Sequence, residues 1–254
     1  TGLAAPIDVT PADHLIVKEE EFCEVIRESM DFARDNDALL TLGIKPDRPE
    51  TGYGYIQADL KKPVEGHKNL LKVKTFTEKP DIDLAKIFLQ SGDFYWNSGI
   101  FIWNIRSILR AFEKHLPDMF SAFDEGKNLI GTEQEETFIG RTYTECRSIS
   151  IDYGIMEKAD NVHVLCSDFG WSDLGTWGSL YAQSETDLNR NAILRGKVFS
   201  HDASGNLISL PTGKVALLQG LTGFIVVDTG DALLIIRQED EQNIKKYIEE
   251  INSG

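Results

Sequence analysis

Residues 169–177, Phe-Gly-Trp-Ser-Asp-Leu-Gly-Thr-Trp, crowd two tryptophans, two glycines and the carboxylate of Asp173 into one short turn. Connecting turns are ordinarily polar, whereas this one has the aromatic mass to anchor itself on a core and hold Asp173 at a fixed point. Two uses of that carboxylate are open: it caps the helix that Gly175-Thr176-Trp177 begins, or it ligates a metal ion or a sugar. Asp13 stands where a short apolar stretch, residues 7–10, gives way to Pro11-Ala12-Asp13-His14. If a sheet brings the two loops together, Asp13 and Asp173 can share one Mg2+, which takes oxygen ligands and keeps waters that phosphates can replace. Either aspartate alone is weak evidence, since an isolated aspartate at a strand end is more often a cap or turn residue. His14 could serve as a base, but a hydrogen-bonded structural imidazole accounts for it, and no catalytic part is assigned to it.

Two further groups carry polar chemistry. In Phe76-Thr77-Glu78-Lys79-Pro80, Glu78 can accept from sugar hydroxyls while the Lys79 ammonium pairs with a phosphate as a point charge. The alternative is a solvated pair before a helix-starting proline. In Trp96-Asn97-Ser98-Gly99, an amide and a hydroxyl interrupt an apolar stretch. Asn97 and Ser98 suit a hexose, or else satisfy buried backbone groups.

The elements that must position these residues follow from periodicity. Residues 7–10 read as a strand and 19–34 as a helix with apolar Phe22, Val25, Ile26, Met30 and Ala33 on one face. Residues 38–44 read as a buried strand, and the resulting βαβ unit favours a parallel sheet with ligands at the carboxyl ends of its strands. After the polar loop 46–54, strands are expected at 55–58, 70–77, 96–103 and 162–166. Helices are expected at 81–89, 105–115, 119–123, 133–147 and 152–159. Beyond residue 189, five short β segments (193–199, 207–210, 215–218, 224–228 and 232–236) are separated by Gly, Asp and Asn, which indicates a small all-β unit. An amphipathic helix with Ile244, Tyr247, Ile248 and Ile251 on one face ends the chain. The expected division is an α/β domain over 1–187 and a β domain plus helix over 188–254.

Composition narrows the function. A chain of 254 residues, 41% hydrophobic, can bury a sizeable core, and its formal net charge of −15 without a basic stripe argues against nucleic-acid binding. No apolar run is long enough to span a membrane, and the three cysteines, Cys23, Cys146 and Cys166, lack zinc-ligand spacing. They read as reduced, mostly buried thiols in a cytoplasmic protein.

Taken in order, Pro11-Ala12-Asp13-His14, Gly52-Tyr53-Gly54-Tyr55-Ile56, Phe76-Thr77-Glu78-Lys79-Pro80, Trp96-Asn97-Ser98-Gly99-Ile100-Phe101, Ser150-Ile151-Asp152-Tyr153 and Gly170-Trp171-Ser172-Asp173-Leu174-Gly175 resemble the mannose-1-phosphate guanylyltransferases. These belong to the sugar-nucleotide pyrophosphorylases, and the resemblance runs from about residue 7 to the C-terminus. It implies an α/β fold with a Rossmann-like mixed nucleotidyltransferase sheet, truncated at the N-terminus, then a small β-helix-like C-terminal domain and a terminal helix. It further implies a nucleotidyltransferase of GDP-mannose biosynthesis, in which mannose 1-phosphate and GTP give GDP-mannose and pyrophosphate with Mg2+ bridging the phosphates. The sugar phosphate oxygen then attacks the α-phosphorus in line, so positioning and charge neutralisation replace a nucleophilic triad.

By the matching motifs, Asp13 and Asp173 resemble the metal ligands and, with Lys79 near the sugar phosphate, the catalytic set. Gly54 and Tyr55 resemble the segment that meets the sugar, with Glu78, Asn97 and Ser98 as its polar partners and Asp152 supporting the pocket. The chain departs from the family in one respect: no glycine-rich loop with an Arg and a Lys corresponds to the triphosphate site. The expectation is that this chain by itself does not turn over GTP. Two alternatives stand beside the main reading: a pyrophosphorylase for another hexose 1-phosphate, and a non-catalytic sugar-nucleotide-binding subunit. The β unit and terminal helix could bury against a second copy in a homodimer, or else cover the first domain.

Overall fold

A computed structural model describes Gly2 and residues 4–253. The chain divides into two compact units, one of the segment ending at Ala12 with Ile16–Trp171, the other of Asp13–Leu15 with the chain from Ser172 onward. The first unit comprises β1 (Pro6–Val9), α1 (Glu19–Asp35), β3 (Leu39–Ile44), β4 (Tyr55–Pro63), β5 (Leu70–Thr77) and α2 (Ile82–Ser91). Its second half holds β6 (Phe94–Asn104), α3 (Ile105–His115), α4 (Pro117–Glu125), α5 (Glu135–Glu145), a π-helical turn at Asp152–Met156 and β7 (Val162–Ser167). Two short strands, β2 (Leu15–Ile16) and β8 (Trp171–Ser172), pair with each other where the chain passes between unit boundaries.

The large sheet has the order β1-β6-β3-β7-β5-β4. The expected parallel βαβ pair is modified. Ile7 faces Trp103 and Leu39 faces Trp103 from the other side, both antiparallel, so β1 and β3 run parallel with β6 inserted between them. A crossover helix fixes strand direction but not adjacency: the 17 residues of α1 span about 25 Å at 1.5 Å per residue, ample to step over one strand. The sheet is therefore mixed.

All six residues of β3 are buried, because both faces of the sheet are covered. On one face Leu40, Leu42 and Ile44 join Trp96, Ile100 and Ile102 of β6 beneath Phe22, Val25, Ile26 and Met30 of α1. On the other, Leu39, Phe101 and Trp103 pack against Ile108 and Ala111 of α3 and Ile155 and Met156 of the π turn. The period of two thus assigns Asn97 to the α3 face and Trp96 and Ser98 to the α1 face.

The second unit contains α6 (Trp177–Gln183), β9 (Ala192–Arg195), β10 (Lys197–His201), β11 (Leu207–Ser209), β12 (Val215–Gln219), β13 (Phe224–Asp228), β14 (Leu233–Arg237) and α7 (Ile244–Ser253). Strands β9, β11 and β13 stack in parallel, as do β10 and β12, and β14 closes the stack as an antiparallel hairpin partner of β13. This is a short β-helix. The single strand expected over 193–199 is two, broken at Gly196, whose φ of +97° belongs to glycine and where a Cβ would lie 2.7 Å from that of Leu210. Inside the corners, Asn206 Nδ2 donates to Asn191 Oδ1 (2.9 Å) and to the Leu221 carbonyl (2.9 Å), a buried ladder that satisfies successive rungs.

The contact boundary at Ser172 precedes residue 188 because α6 is part of the β unit. Trp177, Leu180 and Tyr181 pack against Ala192, Leu207, Ile225 and Ile236, and the Gly178 amide donates to Glu241 (2.8 Å). In α7, Ile244 joins this cluster, while Tyr247, Ile248 and Ile251 are exposed. Among the cysteines, all free, Cys23 is exposed rather than buried.

Candidate functional site

On the α3 face, at the end of β3, four polar residues from distant parts of the chain meet. Asn97 Nδ2 donates to Asp152 Oδ1 (3.0 Å), and Asn97 Oδ1 accepts from Thr41 Oγ1 (3.0 Å) and from the Gly99 amide (3.2 Å). The Asn97 amide in turn donates to the Gly54 carbonyl (2.8 Å). A Cβ on Gly54 would sit 2.5 Å from Glu78 Oε2 and 3.4 Å from Asn97 Cβ, so the missing side chain is what lets the Glu78 carboxylate lie beside Asn97. Gly54, Glu78, Asn97 and Asp152 form one cradle.

The cradle is electrostatically tense. Burial pushes the Asp152 carboxyl above its ordinary value, against the opposing hydrogen bond from Asn97. Burial also raises Glu78, and the nearby Asp152 charge adds to it, while Lys79 opposes. Lys79 Nζ lies 3.5 Å from Glu78 Oε1 with most of its side chain in solvent. Its backbone has φ 45°, a left-handed conformation that costs a non-glycine residue roughly 1–2 kcal/mol. That strain stands at the point where β5 ends and the only cation of the cradle begins its reach among the described residues.

The loop that delivers Gly54 has its own polar support. Glu50 is buried, its carboxylate accepts from the Gly52 amide (3.0 Å), and its own amide donates to Tyr55 Oη (3.0 Å). Arg48 lies over the Trp96 ring (5.0 Å) with Nε 3.4 Å from Glu50 Oε2. Tyr53 meets Trp96 and Trp171 edge-on, each at 5.2 Å. Trp171 thus acts as the expected anchor, its ring in the first unit's core.

Two expected sugar partners lie elsewhere. Tyr55 is fully buried on the α1 face against Phe88, and its hydroxyl supports Glu50. Ser98 is buried on that same face, its Oγ accepting from the Ile100 amide (3.3 Å). Strand alternation turns both side chains away from Asn97.

Asp13 and Asp173 fall in the second unit. Approaching them, the Val17 and Lys18 amides donate to the Gly170 (3.2 Å) and Phe169 (3.0 Å) carbonyls, so the two passages run in opposite directions. Asp13 precedes β2 and Asp173 follows β8, which puts both at the same end of that ribbon. The cap alternative for Asp173 is settled by Thr176, whose side chain accepts from the Ser179 amide (3.0 Å) in a capping box at the start of α6. Asp173 instead accepts from the Gly175 amide (2.9 Å) across Leu174, whose φ is 51°. Among the described residues, no group of three or more His, Cys, Asp or Glu is arranged to hold a metal.

Residues 4–190 match the family described as nucleotidyl transferase, well over half of the chain. The chain belongs to that family. Residues 196–251 of this nucleotidyl transferase match a second description, a MannoseP isomerase/GMP-like β-helix domain. It is similar to a mannose-1-phosphate guanylyltransferase of Salmonella typhimurium, 36% identical over 248 residues, 96% of this chain and 51% of that protein. It is also similar to a mannose-1-phosphate guanylyltransferase of Escherichia coli, 31% identical over 245 residues, 96% of this chain and 52% of that protein. The chain thus spans about half the length of the curated relatives it matches. A crystal structure from Thermus thermophilus, described as a mannose-1-phosphate geranyltransferase, superposes with a TM-score of 0.80 at 29% identity over 99% of this chain and 73% of that one.

Sequence reasoning missed Thr41, Arg48 and Glu50 in this nucleotidyl transferase. Thr41 carried a usable signal, a lone hydroxyl in the apolar strand Leu-Leu-Thr-Leu-Gly-Ile. Arg48 and Glu50 lie in a polar loop and carried none, because burial of a loop is decided by what packs over it. No helix among the described residues is long and apolar enough to cross a membrane.

Proposed function

We propose that this nucleotidyl transferase binds mannose 1-phosphate and acts as a guanylyltransferase, forming GDP-mannose and pyrophosphate with GTP in the cytoplasm. The observation that carries the reading is the cradle of Gly54, Glu78, Asn97 and Asp152. Its open groups suit a hexose: Glu78 accepts from ring hydroxyls, and the second Asn97 Nδ2 hydrogen donates to one. Lys79, strained and largely exposed, takes the sugar phosphate as a point charge. The relatives' names support mannose as the hexose and guanosine as the base.

Asp13 and Asp173 would hold a divalent cation, Mg2+ by donor chemistry, since both are hard carboxylates and two protein ligands leave positions for water and phosphate oxygens. Bound there, the cation supplies charge neutralisation for the phosphates. The protein's own part is to orient the sugar phosphate oxygen and fix its charge, which in phosphoryl transfer is most of the catalysis.

Calorimetric titration of the chain with mannose 1-phosphate, with glucose 1-phosphate as the comparison, tests the sugar half. Mannose 1-phosphate is expected to bind, and Gly54→Ala, whose methyl must displace the Glu78 carboxylate, to weaken it by about tenfold or more, the equivalent of one charge-assisted hydrogen bond. Absence of binding, or equal affinity in the variant, would overturn the reading; tighter binding of glucose 1-phosphate would reassign the hexose.

A further inference from the structure

Thr41 is fully buried in β3, whose six residues are all buried and otherwise have no polar side chain. A hydroxyl at such a position costs stability unless it is bonded, and valine fills the same volume without that cost. Its hydroxyl donates to Asn97 Oδ1 at 3.0 Å.

The register explains why Asn97 needs it. Thr41 pairs with Phe101 and Gly43 with Asn97, so two steps along β3 match four along β6. The two extra residues form a bulge, with Gly99 at φ +72°, which re-aims the Asn97 side chain out of the regular ladder. An amide at the end of such a side chain has a broad terminal torsion. Three bonds restrain it: Thr41 Oγ1 and the Gly99 amide donate to its oxygen, and its nitrogen donates to Asp152. These partners distinguish oxygen from nitrogen and leave one N–H to face a ligand. The Gly99 bond is local to the bulge and moves with it. Thr41 is the fixed reference, in a central strand.

We propose that Thr41 is a positioning residue of the sugar cradle, which sets the direction of the Asn97 amide without touching ligand. This rests on the reading of Asn97 as a sugar partner, and the experiment separates the two. Thr41→Val, Thr41→Ser and Asn97→Ala are titrated with mannose 1-phosphate, and the Asn97 side-chain NH2 resonances are recorded without ligand. Thr41→Val should weaken binding roughly fivefold, the worth of one neutral hydrogen bond, and Thr41→Ser should restore it to within about twofold. In ligand-free Thr41→Val the two Asn97 Nδ2 protons should exchange faster with water, and in Thr41→Ser at the parent rate. Should the valine variant fail to fold, Thr41→Cys, a weaker donor of similar volume, should bind less tightly than Thr41→Ser. If Asn97→Ala binds as the parent does, the sugar reading fails; if only Asn97→Ala loses affinity, or the amide exchange is unchanged, the role of Thr41 fails.

Discussion

Asp152 and Glu78 hold their carboxyls above the ordinary range, mainly by burial. A carboxyl whose folded-state pKa is raised favours folding fully below its unfolded value and loses that contribution as pH rises through the raised value. Asp152→Asn keeps an oxygen to accept from Asn97 and removes one buried charge as well as its push on Glu78. The variant should therefore gain stability relative to the parent as pH increases from about 4 to about 7.5, with the difference in melting temperature larger at the upper end. Thermal melts at the two pH values check this; a constant difference would mean that Asp152 is no more costly to ionise than an exposed aspartate. The tension has a function in the proposed reading, because sugar hydroxyls brought to these carboxylates replace water that folding removed.

At the scale of elements, the turn from Gly170 to Trp177 separates two tasks that its sequence merges. Thr176 holds the start of α6 through the capping box, and Asp173 bonds within its own turn. Thr176→Ala should lower the stability of the second unit by about 1 kcal/mol, a typical cap loss, seen as a lower urea midpoint. Asp173→Asn, which keeps the acceptor for Gly175, should lower that midpoint by less than Thr176→Ala does while weakening Mg2+ binding by the chain. An equal loss of stability in both would return Asp173 to a structural part. The same separation appears in β6, where one strand supplies core on both faces, Ile100 and Ile102 on one and Phe101 and Trp103 on the other, and, through a bulge, the Asn97 amide to the cradle.

For the molecule as a whole, 41 acidic against 26 basic residues give the net charge of −15, and self-repulsion opposes compaction. Raising ionic strength from about 0.01 to about 0.15 M shortens the screening length from about 30 to about 8 Å, so the melting temperature should rise; a fall or no change in calorimetry would show that surface ion pairs offset the repulsion. Much of this architecture was legible in sequence. The helix over 19–34, the strand 70–77 and the helix 105–115 follow from apolar periods of 3.6 or 2, which are local properties of contiguous residues, and the order of the motifs identified the family. The insertion of β6 between β1 and β3, the assignment of α6 to the β unit, and the splitting of 193–199 at Gly196 were not legible, because pairing partners are chosen among strands far apart in the chain. For the site, residue types pointed to Glu78 and Asn97, and Asp152 entered only through the resemblance. Only the tertiary structure excluded the Tyr55 and Ser98 side chains, brought in Thr41, and gave the cap of α6 to Thr176 instead of Asp173: the face a strand residue presents, and the partner a buried hydroxyl finds, depend on register across the sheet and not on neighbours in sequence.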